Sequence, residues 1–371
     1  MFDDIRPYND IETSEALRRS ALNPAVDKIN DFLFPEKDVS ELRSLLSSIK
    51  GVDDFQERIM YPAVRSIIAK TTDGLSFDGI DNFEKGKCYL LLSTHRDIVL
   101  DSAFIQKVLK ENKLPLSEIA VGDNLIYNEF VGDLMRSNRM VKVRRTRNPR
   151  ELYEASEELS AYMRYRIHNA DNPSSIWIAH RNGRTKDGCD ATEQGLLKML
   201  SLSGNRDFVE NMEELSIMPV AISYEIEPCG IQKACEVYVK QTQGSYSKKP
   251  GEDFHSILTG IIQPKGRVHI GFCKPVTREE LEQCALCAKN DRFRALAQIV
   301  DERLKEAFKI WPVNVAAAQM RRGEHISDSA AGELLNRILK DVDSIPHELD
   351  RNEVRAILID LYANPAIRKG Y

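Results

Sequence analysis

Leu90-Leu91-Leu92-Ser93-Thr94-His95-Arg96-Asp97-Ile98-Val99-Leu100-Asp101 is the stretch on which the reading of this chain turns. Its opening leucines complete a short apolar run, Cys88 to Leu92, the pattern of a strand buried on both faces of a sheet. A histidine and two acids follow directly, at the carboxyl end of that strand, where α/β proteins keep their sites.

Outward from this stretch, short apolar runs alternate with amphipathic ones. Strands are predicted at 88–92, 118–121, 140–143, 175–179 and 217–223, and helices at 100–112, 128–138, 149–168 and 191–202. Further strands are expected at 234–240 and 267–273. This alternation predicts an α/β fold, a mixed sheet with crossover helices. Residues 1–73 carry helical spacing such as Leu42, Leu45, Leu46 and Ile49, with Asn23-Pro24, Phe34-Pro35 and Tyr61-Pro62 interrupting or restarting helices. Residues 277–371 also read as helical. The expected organisation is therefore a helical region 1–73, an α/β domain 74–276 and a helical region 277–371.

Composition narrows the function. The chain has 371 residues, 42% hydrophobic and 29% charged, an ordinary globular mix that argues against disorder and collagen. A net charge of -5 gives no reason to expect nucleic acid. The longest apolar runs fall far short of the roughly 20 residues that span a bilayer. The acidic start, Met1-Phe2-Asp3-Asp4-Ile5, lacks the basic and apolar regions of a signal peptide, so a cytoplasmic protein is expected. Seven scattered cysteines suit reduced thiols, and Cys284-Ala-Leu-Cys287 lacks the second pair or nearby histidine of a zinc site, so no metal is expected. His95-Arg96-Asp97 invites a kinase reading, but Ser102 stands where a catalytic loop needs asparagine, and neither a Gly-rich phosphate loop nor Asp-Phe-Gly is present.

Four blocks taken together resemble the glycerol-phosphate and lysophosphatidate acyltransferases. The first is the opening stretch, similar to that family's histidine followed after four residues by aspartate at a strand-to-helix turn. The second is Arg139-Met140-Val141-Lys142-Val143-Arg144-Arg145, an apolar strand closing on basic residues. Trp177-Ile178-Ala179-His180-Arg181-Asn182-Gly183-Arg184-Thr185 is similar to the family's strand followed by Glu-Gly-x-Arg-Ser. Ile217-Met218-Pro219-Val220-Ala221-Ile222 resembles its strand with an embedded proline. Two departures stand out. His95 and Asp101 are separated by five residues, with Leu100 at the position the family spacing assigns to aspartate, so the acid is either Asp101 across a one-residue insertion or Asp97. Asn182 stands where the family has glutamate and supplies no charge.

The resemblance implies acyl transfer from acyl-CoA or acyl carrier protein to the hydroxyl of glycerol 3-phosphate or its 1-acyl derivative, in phospholipid synthesis. Histidine titrates nearest neutral pH and suits the general base, and a carboxylate on its other ring nitrogen fixes the tautomer. His95 with Asp101 or Asp97 supplies that pair. A phosphate-bearing acceptor asks for guanidinium groups, and Arg136, Arg139, Lys142, Arg144, Arg145, Arg147 and Arg150 form a patch without an intervening acid. Arg144, Arg145, Asn182, Gly183, Arg184 and Thr185 are the expected substrate-binding residues, and backbone N–H groups at the start of the following helix are oxyanion donors to look for. His180 reads as structural, and Trp177 and Tyr224 as core or interface aromatics. No metal or redox cofactor is needed, the thioester being a co-substrate. Without a membrane span, contact with lipid would be peripheral, at the inner face, with the N-terminal helices as the expected surface. Two rivals remain: acyl transfer to a non-phosphate lipid acceptor such as an amino-acid-derived lipid, and a non-catalytic lipid-binding protein on the same fold.

Overall fold

The computed structural model describes residues 2–169, 171–204 and 206–371. Seven strands form one sheet among the described residues: β1 (Leu75–Asp78), β2 (Leu90–Ser93), β3 (Glu118–Gly122), β4 (Met140–Val143), β5 (Ile176–Ala179), β6 (Ile217–Tyr224) and β7 (Val268–Phe272). Their order is β1-β7-β6-β2-β5-β3-β4. The five strands from β6 to β4 run parallel, β7 is antiparallel to β6, and β1 is parallel to β7. The mixed α/β sheet expected from the alternation is what forms.

β2 lies inside the sheet, with Leu91 opposite Trp177 of β5 on one side and Met218 of β6 on the other. Leu90 and Leu92 enter one apolar cluster and Leu91 the other, the period of two that a strand buried on both faces requires. Because β2, β3, β4, β5 and β6 are parallel, the ends of all four sequence blocks emerge along one edge of the sheet.

The segment 234–240, expected as a strand, belongs to the helix Gly230–Gln243. Ile231, Ala234, Cys235 and Tyr238 recur at helical spacing and pack on the C-terminal apolar cluster, so packing overrides local strand preference. β1 escaped the sequence reading because it is four residues long and mostly exposed at a sheet edge. In the N-terminal region helices run over Asp10–Ser20, Ala25–Leu33 and Val39–Ser48. A last one runs from Val52 to Thr71, and its wide turn at Gln56–Met60 precedes Pro62. C-terminal helices Pro312–Arg321, Ser329–Leu339 and Arg351–Arg368 close a separate apolar cluster around Trp311 and Tyr362.

Candidate active site

The turn after β2 is organised by two carboxylates. Asp101, wholly buried in the first turn of the helix Leu100–Glu111, places Oδ2 3.0 Å from His95 Nδ1. The same oxygen accepts from the backbone N–H of Arg96 at 2.6 Å and of Asp97 at 2.9 Å. Its other oxygen, Oδ1, accepts from the Tyr224 hydroxyl at 2.8 Å. Asp101 therefore reaches the histidine across the extra residue, because the intervening loop wraps around its carboxylate. Tyr224, at the end of β6, reads as a core or interface aromatic in the sequence, yet it fixes that carboxylate; its position at a strand end is the available signal.

Asp97 does something else. Its Oδ1 accepts from the N–H groups of Val99 at 2.9 Å and Leu100 at 2.8 Å, capping the helix one turn before Asp101. Its Oδ2 is buried without a hydrogen-bond partner among the described residues, against the backbone of Gly260, where a Cβ would lie 2.1 Å away. The N–H groups of residues 96, 97, 99 and 100 are thus all taken by the two carboxylates and are not free as oxyanion donors.

Burial, and then the charge of Asp101, hold the Asp97 carboxyl above the usual aspartate range. A carboxyl raised in this way binds its proton more tightly in the folded chain than in the unfolded one. Stability then falls as pH rises from the unfolded toward the folded pKa. Asp97→Asn keeps an oxygen for the two N–H groups and removes the charge. It is expected to raise the melting temperature near pH 8, by the equivalent of about 1–3 kcal/mol, with little gain near pH 4. Thermal melts at both pH values check this, and equal melting temperatures at the higher pH would refute it.

The third block is tied to the first through its backbone. The His180 N–H donates to the Ser93 carbonyl at 2.8 Å, and the Thr185 N–H donates to the His95 carbonyl at 2.8 Å. Thr185 Oγ1 donates to Asp190 Oδ1 at 2.6 Å, so its hydroxyl is committed to the fold. Arg184 is buried; its Nη2 donates to Ser256 Oγ at 3.2 Å, while its Nη1 has no partner among the described residues. Gly183 adopts a left-handed backbone at φ +76°, and a Cβ there would meet open space, so conformation rather than close approach requires glycine. Asn182 is exposed.

His180 is fully buried with Nδ1 3.3 Å from Thr192 Oγ1, and burial pushes its pKa down to about 4. It is a neutral imidazole inside the fold. The Trp177 ring meets the His95 ring edge-on, with centroids 6.0 Å apart, giving the imidazole an apolar wall.

Arg96 anchors the turn from below. Its guanidinium, 1% exposed, pairs with Asp190 and with Glu227 at 3.4 Å and stacks on Phe308 at 4.9 Å. Lys233 Nζ bridges Glu227 at 2.6 Å and the Arg96 carbonyl at 2.7 Å. The Tyr362 hydroxyl accepts from the Glu227 N–H at 2.8 Å, so the C-terminal helices hold this charge cluster in place.

Arg144 and Arg145 lie elsewhere. They follow β4, three strands from β2, which at strand spacing is about 14 Å. Arg144 pairs with Glu158, and the Arg145 guanidinium lies beside Gly122 and Asn124 at the end of β3. The structure brings His95, Asp101, Asp97, Arg184 and Thr185 together but leaves these two arginines at the rim. Among the described residues no three His, Cys, Asp or Glu side chains converge as metal ligands, and no helix is long and apolar enough to cross a membrane.

A histidine–aspartate pair at the edge of the parallel strands is the arrangement that the resemblance of the four blocks implies. Residues 74–223 match the family model described as Acyltransferase, which bears out the resemblance carried by the four blocks: the chain contains an acyltransferase domain. Among solved structures it is similar to the crystal structure of the 1-acyl-sn-glycerophosphate (LPA) acyltransferase PlsC from Thermotoga maritima. That likeness has a TM-score of 0.42 and 12% identity, and covers 80% of this chain and 95% of the other. No curated protein matches the sequence.

Proposed function

We propose that this protein transfers a fatty acyl group from a CoA or acyl-carrier-protein thioester to the hydroxyl of glycerol 3-phosphate or its 1-acyl derivative, with His95 as general base. The observation that carries the reading is the His95 Nδ1 to Asp101 Oδ2 contact of 3.0 Å. With Nδ1–H donated to the carboxylate, Nε2 is the basic nitrogen. The acceptor oxygen attacks the thioester carbonyl carbon as Nε2 takes its proton. The tetrahedral intermediate then collapses, the C–S bond breaks, and the thiolate leaves with the proton returned by the imidazolium. Atoms and charges balance without a metal or redox cofactor. Asp101 stabilises the imidazolium in both steps, and Tyr224 and two backbone N–H groups hold its carboxylate in place.

Arg184 is the group we assign to the acceptor phosphate. Its buried Nη1 has no hydrogen-bond partner among the described residues, and a phosphate oxygen would satisfy it. Arg144 and Arg145 would act at longer range or on the lipid around the acceptor. The protein would work peripherally at the cytoplasmic face of a membrane, where lipid acceptors reside.

Acceptor-dependent thiol release from palmitoyl-CoA and from palmitoyl-acyl carrier protein, with glycerol 3-phosphate, lysophosphatidate or no acceptor, tests the reading. Background rates with both phosphate acceptors would move the non-phosphate acceptor or the binding protein to first place. Arg184→Ala is expected to raise the acceptor KM by roughly 10- to 100-fold, the loss of a charge-assisted hydrogen bond, with the thioester KM nearly unchanged. Equal rises in both KM values would remove Arg184 from the acceptor site.

A further inference from the structure

The helix Glu252–Ile262 has two unlike faces. One belongs to the site: the Ser256 hydroxyl accepts from Arg184 at 3.2 Å, and Gly260 packs on the Asp97 carboxylate. Lys265, just past its end, donates to the Ile261 and Gln263 carbonyls at 3.1 and 2.8 Å and fastens its last turn. The other face carries Phe254, Leu258 and Ile262, which are 48, 43 and 53% exposed. At i, i+4 and i+8 they form a single ridge. Tyr127, 58% exposed, extends it, with its ring centroid 6.2 Å from that of Phe254.

Isolated exposed apolar side chains are ordinary, whereas a contiguous ridge of them marks a surface that meets something. Ile11 and Leu22, exposed in the N-terminal region, are eleven positions apart, about 16 Å at helical rise, and form no such ridge.

Cations border the ridge. The Arg145 guanidinium and the Asn124 side chain both lie beside Gly122, Asn124 donates to Asp253 in the helix's first turn at 3.0 Å, and Arg147 is exposed two residues beyond Arg145. Lys248 and Lys249 are exposed immediately before the helix. The first turn also carries two acids: Asp253 pairs with Lys248 at 2.5 Å, so those two charges offset each other, and Glu252 accepts from the Tyr246 hydroxyl at 2.7 Å, which leaves Lys249, Arg145 and Arg147 as the cations in excess. An apolar ridge with basic flanks complements an anionic bilayer, whose acyl boundary takes the ring and aliphatic groups while its phosphates meet the arginines and lysines.

We infer that the Phe254–Leu258–Ile262 ridge docks the protein on an anionic phospholipid surface. The inference rests on the acyl-transfer reading only for its purpose: the opposite face of the same helix touches Arg184, so docking on this face holds the acceptor site within one helix diameter, ~10 Å, of the lipid. It also moves the expected membrane contact from the N-terminal helices to this one.

Co-sedimentation of the full chain with vesicles of phosphatidylcholine, and of phosphatidylcholine with about one-third phosphatidylglycerol, tests it. The expected results are binding to the anionic vesicles, weakening with added salt, and loss by about tenfold or more in Leu258→Glu/Ile262→Glu. If that variant does not fold by circular dichroism, the Phe254→Trp variant carries the test, its fluorescence shifting to the blue on anionic vesicles. The inference is overturned if the double variant sediments like the parent, or if the Phe254→Trp emission does not shift. It is equally overturned if gel filtration gives a lipid-free dimer that the double substitution splits, since the ridge is then an interface between copies. His95→Ala is expected to bind vesicles like the parent, so absent turnover with intact vesicle binding counts against the catalytic reading alone.

Discussion

Replacing His95 by alanine is expected to lower kcat for acceptor-dependent thiol release by roughly 100- to 10,000-fold, the usual worth of a positioned general base. The fold should survive. The His95 side chain is 14% exposed, and its one hydrogen bond among the described residues is to Asp101. Without it Asp101 Oδ2 still accepts from the N–H groups of Arg96 and Asp97, and Oδ1 from Tyr224, so no buried carboxylate oxygen is orphaned. The lost edge contact with Trp177 should cost about 1 kcal/mol of stability. The acceptor KM should change little, since the phosphate is assigned to Arg184. Steady-state rates measured beside a circular-dichroism melt separate the two effects. A folded His95→Ala protein retaining turnover within about threefold of the parent would remove the base from the mechanism.

The sequence makes the central strand legible because Leu90 to Leu92 is buried on both faces, and a run without a polar face has few other readings. It makes the histidine legible because strand ends are where loops carry chemistry. It leaves the partner acid undecided between Asp97 and Asp101, since counting residues does not give the path of a loop. That path depends on Asp97 capping the helix with Oδ1, which starts the helix early enough to turn Asp101 back onto His95. Tyr224 is less legible still, because its bond to Asp101 spans 123 positions. Arg144 and Arg145 read as cationic and near a strand end, both of which hold. The order of strands, which puts β5 and β3 between them and His95, depends on packing that no local pattern encodes. The helix Glu252–Ile262 joins the site for the same reason: only tertiary structure places Ser256 and Gly260 over Arg184 and Asp97.

Asp101→Asn separates two things a triad carboxylate does. In a Ser-His-Asp triad, asparagine in place of the aspartate leaves the geometry intact but imposes the wrong histidine tautomer, at a cost of about 10,000-fold. Here two backbone N–H groups, at 2.6 and 2.9 Å, point at the same oxygen that faces His95, so an amide nitrogen placed there would confront two donors. The introduced amide therefore has to keep its oxygen on that side and present its NH₂ to the Tyr224 hydroxyl, which can rotate to accept. The tautomer survives and only the negative charge is lost. Turnover should then fall by roughly 100- to 1,000-fold, the scale of losing electrostatic stabilisation of the imidazolium alone. Asp101→Ala removes the acceptor as well, leaves two buried N–H groups unmet, and should cost more rate together with about 1–3 kcal/mol of stability. Asp97→Asn, whose side chain caps the helix and does not touch His95, should stay within about tenfold of the parent. Rates for the three variants, with melts alongside, decide the assignment: if Asp97→Asn loses more activity than Asp101→Asn, the carboxylate that serves His95 is the wrong one.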